Sequence, residues 1–178
     1  DEVPVEIHEY THFKSGTFEI LQTRPLTAAQ LVGGKWLGAF AIVLVALLPT
    51  IIYVFSVQAL SVDKGIDTGG TIGSYIGLFL LAAVFTAIGT WCSSLTSNPV
   101  IAFLLSAFMC FLLYTGFDAL SKLPALQGSL DYLLESTGIN FHYKSISRGV
   151  IDSRDIIYFG SVIAFFLLIT NRKIALRP

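Results

Sequence analysis

The sequence predicts an all-α membrane protein. It should carry four transmembrane helices, a short helix on the cytoplasmic side ahead of them, and a pair of short helical or re-entrant elements on the outer side. Three observations predict this. Charged residues make up 13% of the 178 residues, against about a quarter in a soluble domain. The charges are segregated, so long charge-free runs alternate with short charged stretches. Four of those runs meet or approach the roughly 20 residues that a helix needs to cross about 30 Å of hydrocarbon.

The chain divides into four parts. Residues 1–35 form a polar segment that leads into the first span. Residues 36–120 hold three spans, 121–154 an outer connection, and 155–178 the last span and a basic tail. The opening "DEVPVEIHEY" is acidic and has no apolar run, so it neither targets nor spans.

Within "FKSGTFEILQTRPLTAAQ" the chain gives two helix-start signals and one break. Ser15 and Thr17 are good caps, and Glu19 falls in the first turn, where a negative charge is favoured. Pro25 disfavours helix at Arg24 and ends the first element. Thr27 and Gln30 then fit a capping box for a second helix. A short helix at about 16–23 therefore precedes a long one. It presents Phe18 and Leu21, with Lys14, Glu19 and Arg24 around them. It reads either as an interfacial anchor or as a docking element for a cytoplasmic partner.

The first span, 36–60, contains Pro49, which membrane helices tolerate and which predicts a kink. The second is 71–94 and the third 99–120. The fourth, 155–171, is the shortest and should stand upright or in thinned lipid. Gly73 with Gly77, and Gly34 with Gly38, are small-xxx-small faces for helix packing, either within one chain or between two.

Lys14, Arg24 and Lys35 precede the spans, and Arg172, Lys173 and Arg177 follow them. The positive-inside rule places both ends in the cytoplasm, as four crossings require. Lys64 and Lys144 are then external. The long connection carries Lys122, Lys144, Arg148 and Arg154, which runs against the rule, and the orientation is kept on the bases at the two ends and the span count. Within it, residues 129–136 read as an amphipathic helix, with Ser129 as cap, Gly138 as terminator and Leu130, Leu133 and Leu134 on one face. "INFHYKSISRGVID" mixes aromatics with bases and suits the headgroup level.

The chemistry is mostly excluded. The net charge of −1 gives no field for nucleic acid. Cys92 and Cys110 lie in apolar runs and read as small buried hydrophobes. No metal-ligand spacing and no phosphate-cradling Gly-Lys-Ser/Thr is present, so no cofactor is expected. The spans hold no acid, base or histidine over 40–57, 75–89 or 101–115, which argues against the alternative of an intramembrane hydrolase. His142 reads as a surface histidine, and Asp118 as reaching water or Lys122. A channel or scaffold without ATP coupling is a further alternative.

"KSGTFEILQTRPLTAAQLVGGKWLG" resembles the segment before the third span of ABC-2 type transporter permeases, on Lys14, Gly16, Thr17, Glu19, Thr23, Pro25, Gly34 and Lys35. "TIGSYIGLFLLAAVFTAIGTWCSSLTSNPVIAF" and "INFHYKSISRGVIDSRDIIYF" resemble the gliding-motility (GldF) branch of that family. The resemblance implies a permease subunit of a bacterial inner-membrane transporter, with two further spans upstream of Asp1. It implies that the short helix is a coupling helix seated on a separate cytoplasmic ABC ATPase. The coupling surface would comprise Lys14, Gly16, Thr17, Phe18, Glu19, Leu21, Thr23, Arg24 and Pro25. It also implies a second permease chain as partner, alongside membrane lipid, and no ATP hydrolysis by this chain itself.

Overall fold

The computed structural model describes residues 27–61, 65–123, 128 and 131–176, and every regular element among them is helical. The elements are α1 (Ala28–Leu47), α2 (Thr50–Leu60), α3 (Thr68–Leu95), α4 (Pro99–Phe111), a π turn (Leu112–Gly116), α5 (Phe117–Ser121), α6 (Asp131–Thr137), α7 (Ile139–Ser147) and α8 (Ser153–Ala175). Four stretches are long and apolar enough to cross a membrane: Ala28–Leu60, Thr68–Leu95, Pro99–Ser121 and Ser153–Ala175.

Local chemistry starts each of them. Thr27 and Gln30 close the expected capping box, with Gln30 N donating to Thr27 Oγ1 at 3.3 Å and Thr27 N to Gln30 Oε1 at 3.0 Å. Asp67 accepts from Gly70 N, Asn98 from Val100 N with Pro99 in the first turn, and Asp152 from Arg154 N. Each cap satisfies amides that a helix start leaves without an internal partner.

Pro49 interrupts the first span. It has no N–H to donate, and α1 ends at Leu47 while α2 begins at Thr50. The ladder tightens around it: Ile51 N donates to Leu48 O and Ile52 N to Pro49 O, both at 3.2 Å. Thr50 Oγ1 donates to Leu47 O at 2.6 Å and so satisfies a carbonyl in the broken turn.

Two elements differ from expectation. α8 has 23 residues, about 35 Å at 1.5 Å each. Its apolar run is still the 155–171 read from the sequence, so the expectation of an upright stance or thinned lipid stands as it was. Its polar ends, Ser153–Arg154 and Arg172–Lys173, continue the helix beyond the apolar run, and the basic last turn suits the helix dipole. The third span changes winding at Leu112–Gly116, a π turn that hydropathy does not encode.

α3 is the central helix and touches α1, α4, α7 and α8. The core is built from Val84, Ala87, Ile88 and Cys92 of α3, Ile139 and Ile146 of α7, and Phe159 and Phe166 of α8. α4 contributes no buried residue and leaves Phe103, Phe108 and Phe111 exposed. α7 does not lie on a surface: its two isoleucines are under 3% exposed and belong to the core.

Candidate functional site

The coupling segment read from the sequence, Lys14 to Pro25, lies outside the described residues, as do Ser129 and Leu130 of the expected outer helix. The described chain begins at Thr27, two residues past Pro25. From its capping box α1 rises directly into the first span.

The start of α1 is tied to the end of α3. Lys35 Nζ donates to Ser93 Oγ at 2.7 Å, and one helical step further on Trp36 Nε1 donates to Ala83 O at 3.0 Å. Trp36 stacks on Phe40, which meets Phe79 edge-on. Beside this seam runs a groove of about 730 Å³, walled by Lys35, Ala39, Val43 and Leu47 of the first span, by Leu78, Phe85, Thr86 and Thr90 of α3, and by Phe103 of α4. Its hydroxyls are already committed. Thr86 donates to the carbonyls of Ala82 and Ala83, and Thr90 to that of Thr86. The wall thus offers a polar solute almost nothing to bond, and apolar or amphipathic material fits it better.

At the opposite end of α3, Gly73 and Gly77 face α7 of the same chain. A Cβ on Gly73 would collide with Ile146 O and come within 2.7 Å of Gly149 N; one on Gly77 would meet the Tyr143 ring at 3.0 Å. Gly149 turns the chain with φ +83°, and a Cβ there would press on Gly69 O. Ser74 Oγ donates to Ser147 O across the same contact. The pair Gly34 and Gly38 has no such neighbour among the described residues.

His142 is not a surface histidine. Its side chain is 12% exposed and that of its partner Asp155 is 6% exposed. Nδ1 lies 2.7 Å from Asp155 Oδ1 and Nε2 lies 2.9 Å from the Ser136 carbonyl oxygen. The imidazole stacks on Tyr158 with centroids 3.9 Å apart, and Tyr158 Oη donates to Thr137 O at 2.6 Å. The missed signal was periodicity. Ile139, His142 and Ile146 share one face of α7, so the histidine goes where the isoleucines go. Asp118 accepts from Lys122 at 2.7 Å, as expected, and also from Lys144 at 3.5 Å. In the π turn, Tyr114 sits edge-on between Phe85 and Tyr143 and so joins α3 to α7.

An aspartate–histidine pair invites comparison with a hydrolase triad. In a triad the distal imidazole nitrogen takes a proton from a nucleophilic hydroxyl. Here that nitrogen faces a main-chain carbonyl, which only accepts. Ser136 Oγ itself bonds to Leu133 O. The arrangement holds elements together and has no nucleophile to activate. Among the described residues no group of three or more His, Cys, Asp or Glu side chains could hold a metal ion.

These features define a multi-pass helical membrane protein whose long helices meet through apolar, aromatic and glycine contacts, with an apolar groove open along them. A family model described as ABC-2 family transporter protein matches residues 13–140, well over half of the chain, and the chain belongs to that family. Its members lack ATPase activity themselves. No curated protein matches, and no solved structure matches.

Proposed function

We propose that this chain is the permease subunit of an ABC transporter, driven by a separate cytoplasmic ATPase that docks on the helix at residues 16–23. The observation that carries this reading is the family match. It begins at Phe13 and so takes in the whole of Lys14 to Pro25 together with the first three spans. The local structure supports it. α1 starts from its cap at Thr27, and Lys35 links that end of α1 to the end of α3. A push on the docked helix would therefore reach two spans at once.

In this reading Phe18 and Leu21 fill an apolar pocket of the ATPase, while Lys14, Glu19 and Arg24 orient it. Gly16, Thr17, Thr23 and Pro25 shape the helix and its break. Both chain ends are cytoplasmic, and a second permease chain completes the transporter in the bacterial inner membrane. The finer assignment, to the gliding-motility branch, rests on the resemblance of the second-span and outer-connection sequences.

Interface anchors often cost about 2 kcal/mol or more when truncated. The Phe18→Ala/Leu21→Ala variant should insert and fold normally yet no longer copurify with the ATPase. If the ATPase stays bound while that segment loses its hold on the membrane, residues 16–23 are a lipid anchor and the coupling role is wrong.

A further inference from the structure

We propose that His142 and Asp155 form a proton-binding clamp that locks the α6–α7 hairpin to the start of α8, and that the clamp opens as its proton is lost.

The inference follows from donor and acceptor counting. Nε2 of His142 faces the Ser136 carbonyl oxygen at 2.9 Å. A carbonyl only accepts, so Nε2 carries a hydrogen. Nδ1 faces Asp155 Oδ1 at 2.7 Å. An ionised carboxylate also only accepts, and a neutral imidazole has one N–H, already used at Nε2. The second bond therefore requires one further proton between Nδ1 and Oδ1. Imidazolium with carboxylate and imidazole with carboxylic acid are two descriptions of the same occupied site. Remove that proton and two lone pairs face each other at hydrogen-bond distance, in a place too enclosed for water to separate them cheaply.

The surroundings make the proton matter. Asp155 is 5% exposed, and among the described residues its second oxygen, Oδ2, has no partner. The carboxylate thus depends on the imidazole side for compensation, and a buried unpaired charge is strongly unfavourable. Ser136 and Thr137 lie in the last turn of α6, where helix carbonyls lack internal donors. His142 serves the first and Tyr158 the second. A positive imidazole there also suits the negative end of α6. One side chain on α7 thereby bonds both α6 and α8.

Other ionisable groups stand on the elements packed against α7. α3 brings Asp67 at its cap, Tyr75 and Cys92. The π turn and α5 bring Tyr114 and Asp118, with Lys122 just beyond. α6 brings Asp131, Tyr132 and Glu135, and the start of α8 brings Asp152, Arg154 and Tyr158. α7 itself adds Tyr143 and Lys144. Asp155 is the carboxylate hydrogen-bonded to the imidazole, whereas Asp118 is engaged by Lys122 and Lys144 and Asp152 caps α8. Tyr158 stacks on the ring and donates to Thr137, so it adds no charge to the pair.

The sign follows from linkage. The closed hairpin holds one proton that the open, deprotonated hairpin does not, so closure is favoured at low pH and lost as pH rises. The solution on the side where α6 and α7 lie sets the state. This does not depend on ATP coupling and stands or falls apart from it.

The test uses the whole chain in lipid nanodiscs. Ile139, buried beneath the hairpin, and Leu133, exposed on α6, are replaced singly by cysteine. Labelling by a membrane-impermeant thiol reagent is followed at each site by mass spectrometry. The ratio of I139C to L133C cancels the thiolate chemistry common to both. It should rise about tenfold between about pH 5 and about pH 9, as local opening becomes easier. In D155N, whose amide N–H can donate to a neutral Nδ1, the ratio should be low throughout and nearly flat, and in H142A, which removes both bonds, it should be high throughout and nearly flat. A flat ratio in the parent background overturns the clamp, and so does a rise that persists unchanged in both variants. A measurement that needs no change at the pair is the ¹⁵N-histidine spectrum of H8Q/H12Q, where His142 is the remaining histidine. Nε2 should stay protonated across the range while Nδ1 responds to pH. An unprotonated Nε2 at neutral pH would overturn the proposal on its own.

Discussion

Thr50 Oγ1 lies 3.0 Å from Tyr75 Oη, which joins the first span to the second one residue past the proline break. Thr50 has a single hydroxyl proton and gives it to Leu47 O, so Tyr75 is the donor in this contact. The bond therefore acts on the weakest point of the first span. Thr50→Val should cost about 1 kcal/mol and Tyr75→Phe slightly less. In a double-mutant cycle read by reversible unfolding in mixed micelles, the two changes should be coupled. Additive losses would show that the contact carries no energy.

Gly73 should tolerate no side chain. The neighbouring atoms are Ile146 O and Gly149 N, both backbone, so nothing flexible can move aside. Gly73→Ala should destabilise the fold by about 1–3 kcal/mol through forced separation of α3 and α7. Gly33→Ala is the control, with open space around its Cβ. It should fall within about 0.5 kcal/mol of the parent. Equal effects of the two would remove the α3–α7 contact as a determinant of stability.

Pro25→Ala bears on the coupling proposal from a different side than the loss of Phe18 and Leu21. Without the proline, helix can run through Arg24 into α1. The docking surface would then point along the span instead of across the ATPase. ATP hydrolysis should persist while transport falls. Unchanged transport would mean that the break at Pro25 is not needed.

Orientation can be read directly. With both ends cytoplasmic, cysteines at Lys64 and Lys144 should react with an impermeant reagent added to intact cells, and one at Arg177 should not. The reverse pattern inverts the protein in the membrane and, with it, the side from which the His142 clamp is titrated.

How much of this was legible in the sequence depends on the range of the interaction concerned. The Thr27–Gln30 capping box, the Pro49 break and the partnership of Asp118 with Lys122 involve neighbours within a turn or so. Sequence patterns report such neighbours: the box was read as it stands, Pro49 was read as a kink, and Asp118 was read as reaching either water or Lys122. The length of α8 was underestimated because hydropathy marks where apolar residues stop, whereas a helix stops where its hydrogen bonds do. Ser153 and Arg172 are polar yet helical. The π turn at Leu112–Gly116 escaped for a related reason, since no residue in it is barred from an ordinary α-helix.

The sequence by itself determined that this is a four-span helical membrane chain, because a bilayer leaves an apolar run few ways to satisfy its backbone except as a helix. That constraint acts on each segment separately and needs no knowledge of the others. Only the tertiary structure decided what the helices do to one another. Gly73 became a contact because α7, some seventy positions later, folds back against it. His142 left the surface because α7 packs into the core between α3 and α8, and that packing brought its imidazole to Asp155 and to the Ser136 carbonyl together. Whether a polar side chain is solvated or enclosed depends on which segments close around it, and that information lies in the packing of several elements at once rather than in the order of residues along any one of them.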